Sequence, residues 1–327
     1  MANLTYAQAI RKVIQEEMQR DDKVFCMGED CEKLGGVFGT TRDLYKEFGT
    51  DRIRNTPISE SAIVGAAVGA ASAGMRPVVA ELMYWDFAFV AADQIFNQMC
   101  KTRYVFGGNA KLPIVLRSQQ GTGRGNAATH SQSLETIFMH IPGVKVACPS
   151  TPAEAAGLLR TAIRDDNPVC FFEHKALYIT KGEVPEDPDF MIPFGKADIK
   201  REGSDVTIVT NLLYVSRALE AAEELAKEGI SAEVIDPRTL VPFDYDTVVE
   251  SVKKTGRLVV VHEAHKNCGW GAQVITEITN RAFRYLDAAP IHLGAKACPL
   301  PFNPGLEAAV IPSVKEIGDA CKATLYR

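Results

Sequence analysis

Several stretches of this 327-residue chain hold residues whose types and spacing could do chemistry. Gly121-Thr-Gly123-Arg-Gly125 follows an apolar run, as a dinucleotide-binding turn does. The third glycine of that fingerprint, however, falls at Asn126, where a helix would have to pack closely on its sheet. A phosphate-cradling loop fails at Gly195-Lys196, because Phe190 stands where its first glycine belongs. His262-Glu263-Ala264-His265 has the residue types of a zinc site. Its histidines are three apart at a strand end, not four apart on one helical face. No serine sits in a Gly-x-Ser-x-Gly elbow, so a hydrolase triad is unsupported. The oddest segment is Asn55-Thr-Pro-Ile-Ser59-Glu60, followed by a run that is almost all Ala and Gly. Pro57 fixes the approach, Ser59 can cap, and Glu60 falls at the first helical position. The plain account is that Glu60 complements the helix dipole, worth under ~1 kcal/mol. Small residues on every face, with Gly65 and Gly69 four apart, imply close approach of other backbone, in a core or across a subunit contact.

The elements that must position these residues alternate in period. A helix capped by Thr5 carries Tyr6, Ile10, Val13, Ile14 and Met18 at helical spacing. Strand 23–27, helix 59–74, strand 77–82, helix 91–106 and strand 113–117 follow. Strand 144–147, a helix after Pro152 and strand 169–172 continue the pattern. The alternation breaks at 181–200, rich in proline and acid, which reads as a linker. It then resumes with strands 206–210, 232–235, 258–261 and 291–293 between helices 215–227, 245–254 and one from about 271. Strands alternating with helices imply crossover units, hence an α/β fold of two domains with mostly parallel sheets, 1–180 and 201–327.

Composition bounds the partners. Lys and Arg number 36 against 41 Asp and Glu, a net charge of −5, which argues against nucleic acid and against a polybasic grip on lipid. No stretch is long and apolar enough to span a bilayer, and the N-terminus lacks the pattern of a signal peptide. The eight cysteines are scattered, several inside apolar runs, as buried free thiols are in a reducing compartment. A cytoplasmic globular protein is expected.

Seven fragments then occur in order with matching separations: Thr-Pro-Ile-Ser-Glu60, the Ala/Gly helix, Gly-Met-Arg-Pro-Val78, Asp93-Gln, Ala127-Ala-Thr-His-Ser-Gln132, His140-Ile-Pro-Gly-Val-Lys-Val and Ala162-Ile-Arg-Asp-Asp-Asn-Pro168. Ile192-Pro-Phe-Gly-Lys-Ala and Thr255-Gly-Arg-Leu-Val-Val-Val-His-Glu263 extend the match across the whole chain. Together they resemble the β subunit of the thiamine-diphosphate-dependent decarboxylating component of 2-oxoacid dehydrogenase complexes. The resemblance implies a pyrimidine-binding domain followed by a transketolase C-terminal-like domain. It also implies thiamine diphosphate at an interface with an α subunit, in an α2β2 assembly docked on a lipoyl acyltransferase core. In that family the α chain holds the diphosphate and Mg2+ through Gly-Asp-Gly, a motif this sequence lacks. The chain therefore corresponds to half an active site and is expected to need the partner.

The resemblance also assigns roles. Glu60 matches the carboxyl that bonds N1′ of the aminopyrimidine and favours the imino tautomer; burial would raise its pKa toward the protonated form this needs. Met83 and Phe87 fall where the family packs apolar side chains on that ring, core packing being the alternative; Ala80 looks like one extra residue before them. His130 matches the family's active-site histidine, which serves substrate handling and the reductive acylation of lipoyl groups, although a loop histidine is ordinarily just exposed. Ile114, Ala162, Ile163, Asp165 and Asn167 match positions that ring a potassium ion in some relatives. Asp-Asp-Asn-Pro is equally an ordinary turn. The stretch 172–185 looks most like the pyruvate and acetoin versions, so pyruvate is the first substrate expected, acetoin the second, and a branched-chain 2-oxoacid a further alternative. A non-catalytic scaffold would have lost Glu60 and His130, which are both present. The ending Thr-Leu-Tyr-Arg327 is basic where some relatives end in an apolar residue, which bears on the docking of the core.

Overall fold

A computed structural model describes residues 1–326, with only the backbone described at Ala80 and Glu81; Arg327, which makes the chain's ending basic, lies outside the described residues. The chain divides into two compact units. One is Met1–Gln120 with Ile137–Phe194; the other is Gly121–Thr136 with Gly195–Arg327. The boundary near 195 arises because β8 (Lys181–Val184), inside the stretch read as a linker, pairs antiparallel with β1 (Ala2–Thr5) and so belongs to the first unit. The capture of residues 121–136 by the second unit has no signal in periodicity, since that loop has neither period.

In the first unit, strands β2 (Val24–Gly28), β3 (Ile53–Asn55), β4 (Arg76–Glu81), β5 (Val115–Gln120), β6 (Lys145–Ala147) and β7 (Val169–His174) lie in the order β6-β7-β5-β4-β2-β3, each pair parallel. Helices α1 (Tyr6–Arg20), α2 (Leu44–Phe48), α3 (Glu60–Ser72), α4 (Cys100–Val105), α5 (Glu135–His140) and α6 (Pro152–Arg164) accompany them in sequence. Thr5 opens α1 as expected, in a reciprocal cap with Gln8. The single helix expected over 91–106 is instead a π-helical turn, Gln94–Met99, running into α4. Buried strands of a parallel sheet are normally apolar throughout. Here β5 ends in buried Arg117, Ser118, Gln119 and Gln120, and the Arg117 guanidinium forks onto Glu173 of β7 at 2.6 and 2.9 Å with both side chains fully buried.

The register of β4 on β2 shifts between Met27 and Gly28, pairing Met27 with Val79 but Gly28 with Glu81. Ala80, the residue that looks extra, falls at this shift of register.

The second unit has strands β9 (Asp198–Arg201), β10 (Val206–Val209), β11 (Ala232–Asp236), β12 (Thr239–Val241), β13 (Leu258–His265) and β14 (Ile291–Ala295). Its main sheet runs β14-β13-β10-β11-β9, parallel except for the edge strand β9. Helices α7 (Leu213–Lys227), α8 (Tyr245–Thr255), α9 (Trp270–Ala282), α10 (Pro304–Val310) and α11 (Val314–Thr324) complete it. Its core gathers Val206, Ile208, Val234, Val259 and Val261 from the strands with Ala218, Ala222 and Leu225 from α7 and Ile317 from α11. Among the described residues no helix is long and apolar enough to cross a membrane. Six of the eight cysteines are buried thiols, whereas Cys268 and Cys298 are exposed.

Candidate active site

Parallel sheets bind ligands outside the carboxyl ends of their strands. Three adjacent strands of the first unit, β4, β2 and β3, end in register: Gly28 pairs with both Asn55 and Glu81. The chain leaving each end carries a candidate residue. Glu29 follows β2, the turn to Glu60 follows β3, and Met83 with Phe87 follows β4. Glu60 sits at the first position of α3 and is 7 % exposed; the Ser59 side chain makes no cap bond there. Met83 and Phe87 are half-buried. Phe87 lies in a short 3-10 turn, Trp85–Phe89, anchored by Trp85, whose ring stacks on Phe172 at 4.1 Å and meets Phe138 edge-on at 4.8 Å.

Glu29 was not foreseen from the sequence. It is 5 % exposed, and burial, the charge of Glu60 and that of Asp30 push its carboxyl up to about 7, against a hydrogen bond donated by the Met83 N–H. Its Oε1 and the neighbouring Thr56 Oγ1 are buried without a hydrogen-bond partner. Such orphaned oxygens are rare in native structures and call for a partner, water or ligand, from outside this chain. The only local signal was Gly-Glu-Asp directly after an apolar strand, too common to single out.

The Ala/Gly helix α3 buries Ile63, Val64, Ala67 and Ala71, while Ala62, Ala66 and Gly69 are exposed, and a Cβ at Gly69 would meet nothing within 4 Å. The close approach expected on every face therefore occurs on one face only within this chain. Ile58, before the helix, is 81 % exposed, and Tyr104, Val105 and Phe106 at the end of α4 are exposed as well.

His130 belongs to the second unit, on the loop 121–136, and is half-buried; its Nδ1 lies 2.9 Å from Thr129 Oγ1. Its neighbours Ala128 and Gln132 line a cleft of about 610 Å3 with His265, Asn267, Cys298 and Leu300. The histidines of the rejected zinc pattern are engaged separately. His262 Nε2 lies 2.7 Å from His292 Nε2, and His265 Nδ1 lies 2.8 Å from the Lys296 carbonyl. Among the described residues no group of three or more His, Cys, Asp or Glu side chains is arranged to hold a metal.

The five residues matched to a potassium ring do meet in one corner of the first unit. The Ile114 carbonyl accepts from Val169 N–H at 2.9 Å and that of Ala162 from Asp165 N–H at 3.3 Å. Those of Ile163 and Asp165 accept from the Arg76 guanidinium at 3.3 and 3.2 Å. The Asp165 carboxylate takes the Asn167 side-chain amide at 2.8 Å and pairs with Lys145, contacts that hold its pKa below the usual range despite burial. Each carbonyl keeps a second lone pair that suits a hard cation, but Arg76 and Lys145 already supply positive charge.

Comparison with known proteins joins these observations. Residues 2–181 match the transketolase pyrimidine binding domain and residues 195–317 the transketolase C-terminal domain. A relative from Cupriavidus necator, the acetoin:2,6-dichlorophenolindophenol oxidoreductase subunit beta, is 51 % identical over 98 % of this chain and 97 % of its own. The pyruvate dehydrogenase E1 component subunit beta of Rickettsia felis is 46 % identical over 99 % and 98 %. The 2-oxoisovalerate dehydrogenase subunit beta of Bacillus subtilis is 45 % identical over 94 % of each chain. Among solved structures, a split-gene transketolase described as an inactive beta4 tetramer superposes with a TM-score of 0.79 at 24 % identity, covering 99 % of both chains, which bears on the fold alone. With both transketolase domains and full-length relatives of this kind, the chain belongs to the thiamine-diphosphate-dependent family of dehydrogenase E1 β subunits.

Proposed function

We propose that this chain is the β subunit of a 2-oxoacid dehydrogenase that decarboxylates pyruvate and reductively acylates lipoyl groups, working only with an α subunit. The single observation that carries the reading is the pair of buried carboxyls, Glu60 and Glu29, at the joined ends of β2 and β3, one of them poised near neutrality with an unpartnered oxygen. These residues suit an aminopyrimidine: Glu60 would hold its N1′ and share a proton there, and Met83 and Phe87 would flank the ring. Thiamine diphosphate, when bound, supplies the electron sink that decarboxylation needs. Glu60 would hold the proton at N1′, Glu29 would keep a second proton within the same buried cluster, and the apolar flank would exclude water.

The partner is read from chemistry as well. The missing Gly-Asp-Gly leaves the diphosphate and Mg2+ to the α subunit. The uncovered small-residue face of α3 and the exposed Ile58 and Tyr104 suit an apolar interface, as an α2β2 tetramer would bury. Docking on a lipoyl acyltransferase core and acyl transfer through His130 complete the reading. Potassium would sit on the carbonyls of Ile114, Ala162, Ile163 and Asp165, with Asn167 beside them, sharing these oxygens with Arg76. Acetoin is the second reading for the substrate, favoured by the 51 % identity to the Cupriavidus subunit.

The test is co-expression with an α-type partner carrying Gly-Asp-Gly, followed by turnover of pyruvate, acetoin and a branched 2-oxoacid with an artificial electron acceptor. Pyruvate should give the highest kcat/KM; acetoin in first place would move the assignment to the second reading. Glu60→Gln should assemble and nearly lose turnover of every substrate, and normal turnover would remove Glu60 from the chemistry.

A further inference from the structure

Two motifs remained without a role: the glycine-spaced run at 121–125 and the His-Glu-Ala-His pattern at 262–265. The structure joins them. Glu263 Oε1 accepts from the Thr122 N–H at 2.7 Å and from the Ser133 hydroxyl at 3.2 Å, while its Oε2 accepts from the Thr122 hydroxyl at 3.0 Å. The next backbone amide, Gly123 N–H, donates to Glu307 Oε2 at 3.1 Å. Both carboxylates are buried, and Thr122 is fully so. One carboxylate thus grips the loop on both sides of His130, at Thr122 and Ser133, and a second takes the adjacent amide.

The loop is shaped for this grip. Gly121, Gly123 and Gly125 have φ of 92°, 94° and 61°, so the chain turns repeatedly over a few residues. Its base closes where Gly121 N–H meets the Gln132 carbonyl at 3.5 Å, and Trp270 N–H donates to Thr136 Oγ1 at 3.2 Å. The other end of the grip is rigid. Glu263 projects from the buried strand β13, next to His262, whose Nδ1 bonds the Ala264 carbonyl at 3.0 Å and whose ring leans on Trp270 at 5.0 Å. Glu307 lies on α10, capped by Asn303. Charge-assisted bonds to backbone amides are the strong class, and burial strengthens them further.

We propose that Glu263 and Glu307 are positioning residues that fix the loop 121–136 and thereby the orientation of His130. They act through the loop and need not touch substrate. This rests on the acyl-transfer role proposed for His130, and the experiment separates the two. In the enzyme reconstituted with its α partner, amide exchange is followed over 121–136. Pyruvate turnover is measured with a lipoyl domain and, separately, with an artificial electron acceptor, for Glu263→Ala, Glu263→Gln, Glu307→Ala and His130→Ala.

Glu263→Ala should raise exchange at 121–136 by about tenfold or more and should lower lipoyl acylation about tenfold more than artificial-acceptor turnover. Glu263→Gln keeps an acceptor for Thr122 N–H and should recover most of both. Should Glu263→Ala fail to assemble, Glu263→Gln and Glu307→Ala carry the comparison, each with a smaller but parallel effect. Unchanged exchange, or acylation that falls only in step with artificial-acceptor turnover, overturns the positioning role while a damaged His130→Ala leaves the role of His130 standing. A His130→Ala enzyme that acylates normally overturns both.

Discussion

In the unit that carries Glu60, the Glu29 carboxyl is buried beside a second carboxyl, keeps one oxygen without a partner and is pushed up to about 7. In the other unit, Glu263 is equally buried yet receives two hydroxyls and a backbone amide. Burying an ionised carboxylate is costly unless donors replace its lost water. Where donors are supplied, the carboxylate becomes a structural clamp. Where they are withheld, the group keeps its proton, and a proton held near neutrality is useful for acid–base chemistry. Burial of a carboxylate is therefore not by itself a sign of function; its hydrogen-bond account is.

The sharpest way to break this contrast is Glu60→Gln, expected to cut turnover on the order of 10^3-fold while the melting temperature of the reconstituted enzyme stays nearly unchanged. A fall in stability of similar weight to the loss of activity would make Glu60 another clamp. The converse case is Glu173, which the Arg117 guanidinium and the Tyr178 hydroxyl both satisfy. Glu173→Ala takes both carboxylate bonds from the buried Arg117 guanidinium and should cost about 3–5 kcal/mol in denaturant unfolding. A loss below about 1 kcal/mol would mean that water or another group takes over.

Glu29 offers a test in pH. Its folded value, about 7, lies above its ordinary 4.5, so between these the native state binds the extra proton and the unfolded chain does not. Stability contributed by this group is present below pH 4.5 and is lost as pH rises through 7, a change on the order of 3 kcal/mol. Glu29→Gln should flatten that slope in melts of the chain; an unchanged slope assigns it to other groups. The smallest effect is expected at the Asp165 corner. Exchanging potassium for sodium should lower the melting temperature by only about 1–2 °C, because Arg76 and Lys145 already serve the same oxygens. Equal melting in both salts would remove the cation from this corner.

Much of the fold was legible because periodicity reports which face of an element is buried. The capped α1 and the parallel strands follow from it, while α3, which has no apolar period, is marked by Pro57 and Ser59 before it and Gly74 after it. Elements with mixed or short patterns were not legible. The π-helical turn at 94–99 resembles an ordinary helix in sequence, and α10 and α11 lie beyond the last clear alternation. Of the candidate residues, Glu60, Met83, Phe87 and His130 were reachable through the resemblance. Glu29 was not, since a glutamate after a strand is unremarkable until its neighbours are known. Glu263 was noticed only as part of a histidine pattern, because its partners at Thr122 and Ser133 are more than a hundred residues away in sequence.

The sequence by itself determined the alternation of strands and helices, the Thr5 cap of α1 and the placement of Glu60 at a helix start. All of these are local, and local propensity and pattern suffice for them. Only the tertiary structure decided that the loop 121–136 belongs to the second unit, that Glu29 joins Glu60, and that Glu263 holds the loop bearing His130. Each depends on which groups packing brings together, a second carboxyl 31 residues away for Glu29 and an amide and a hydroxyl 141 residues away for Glu263, and no local pattern encodes that.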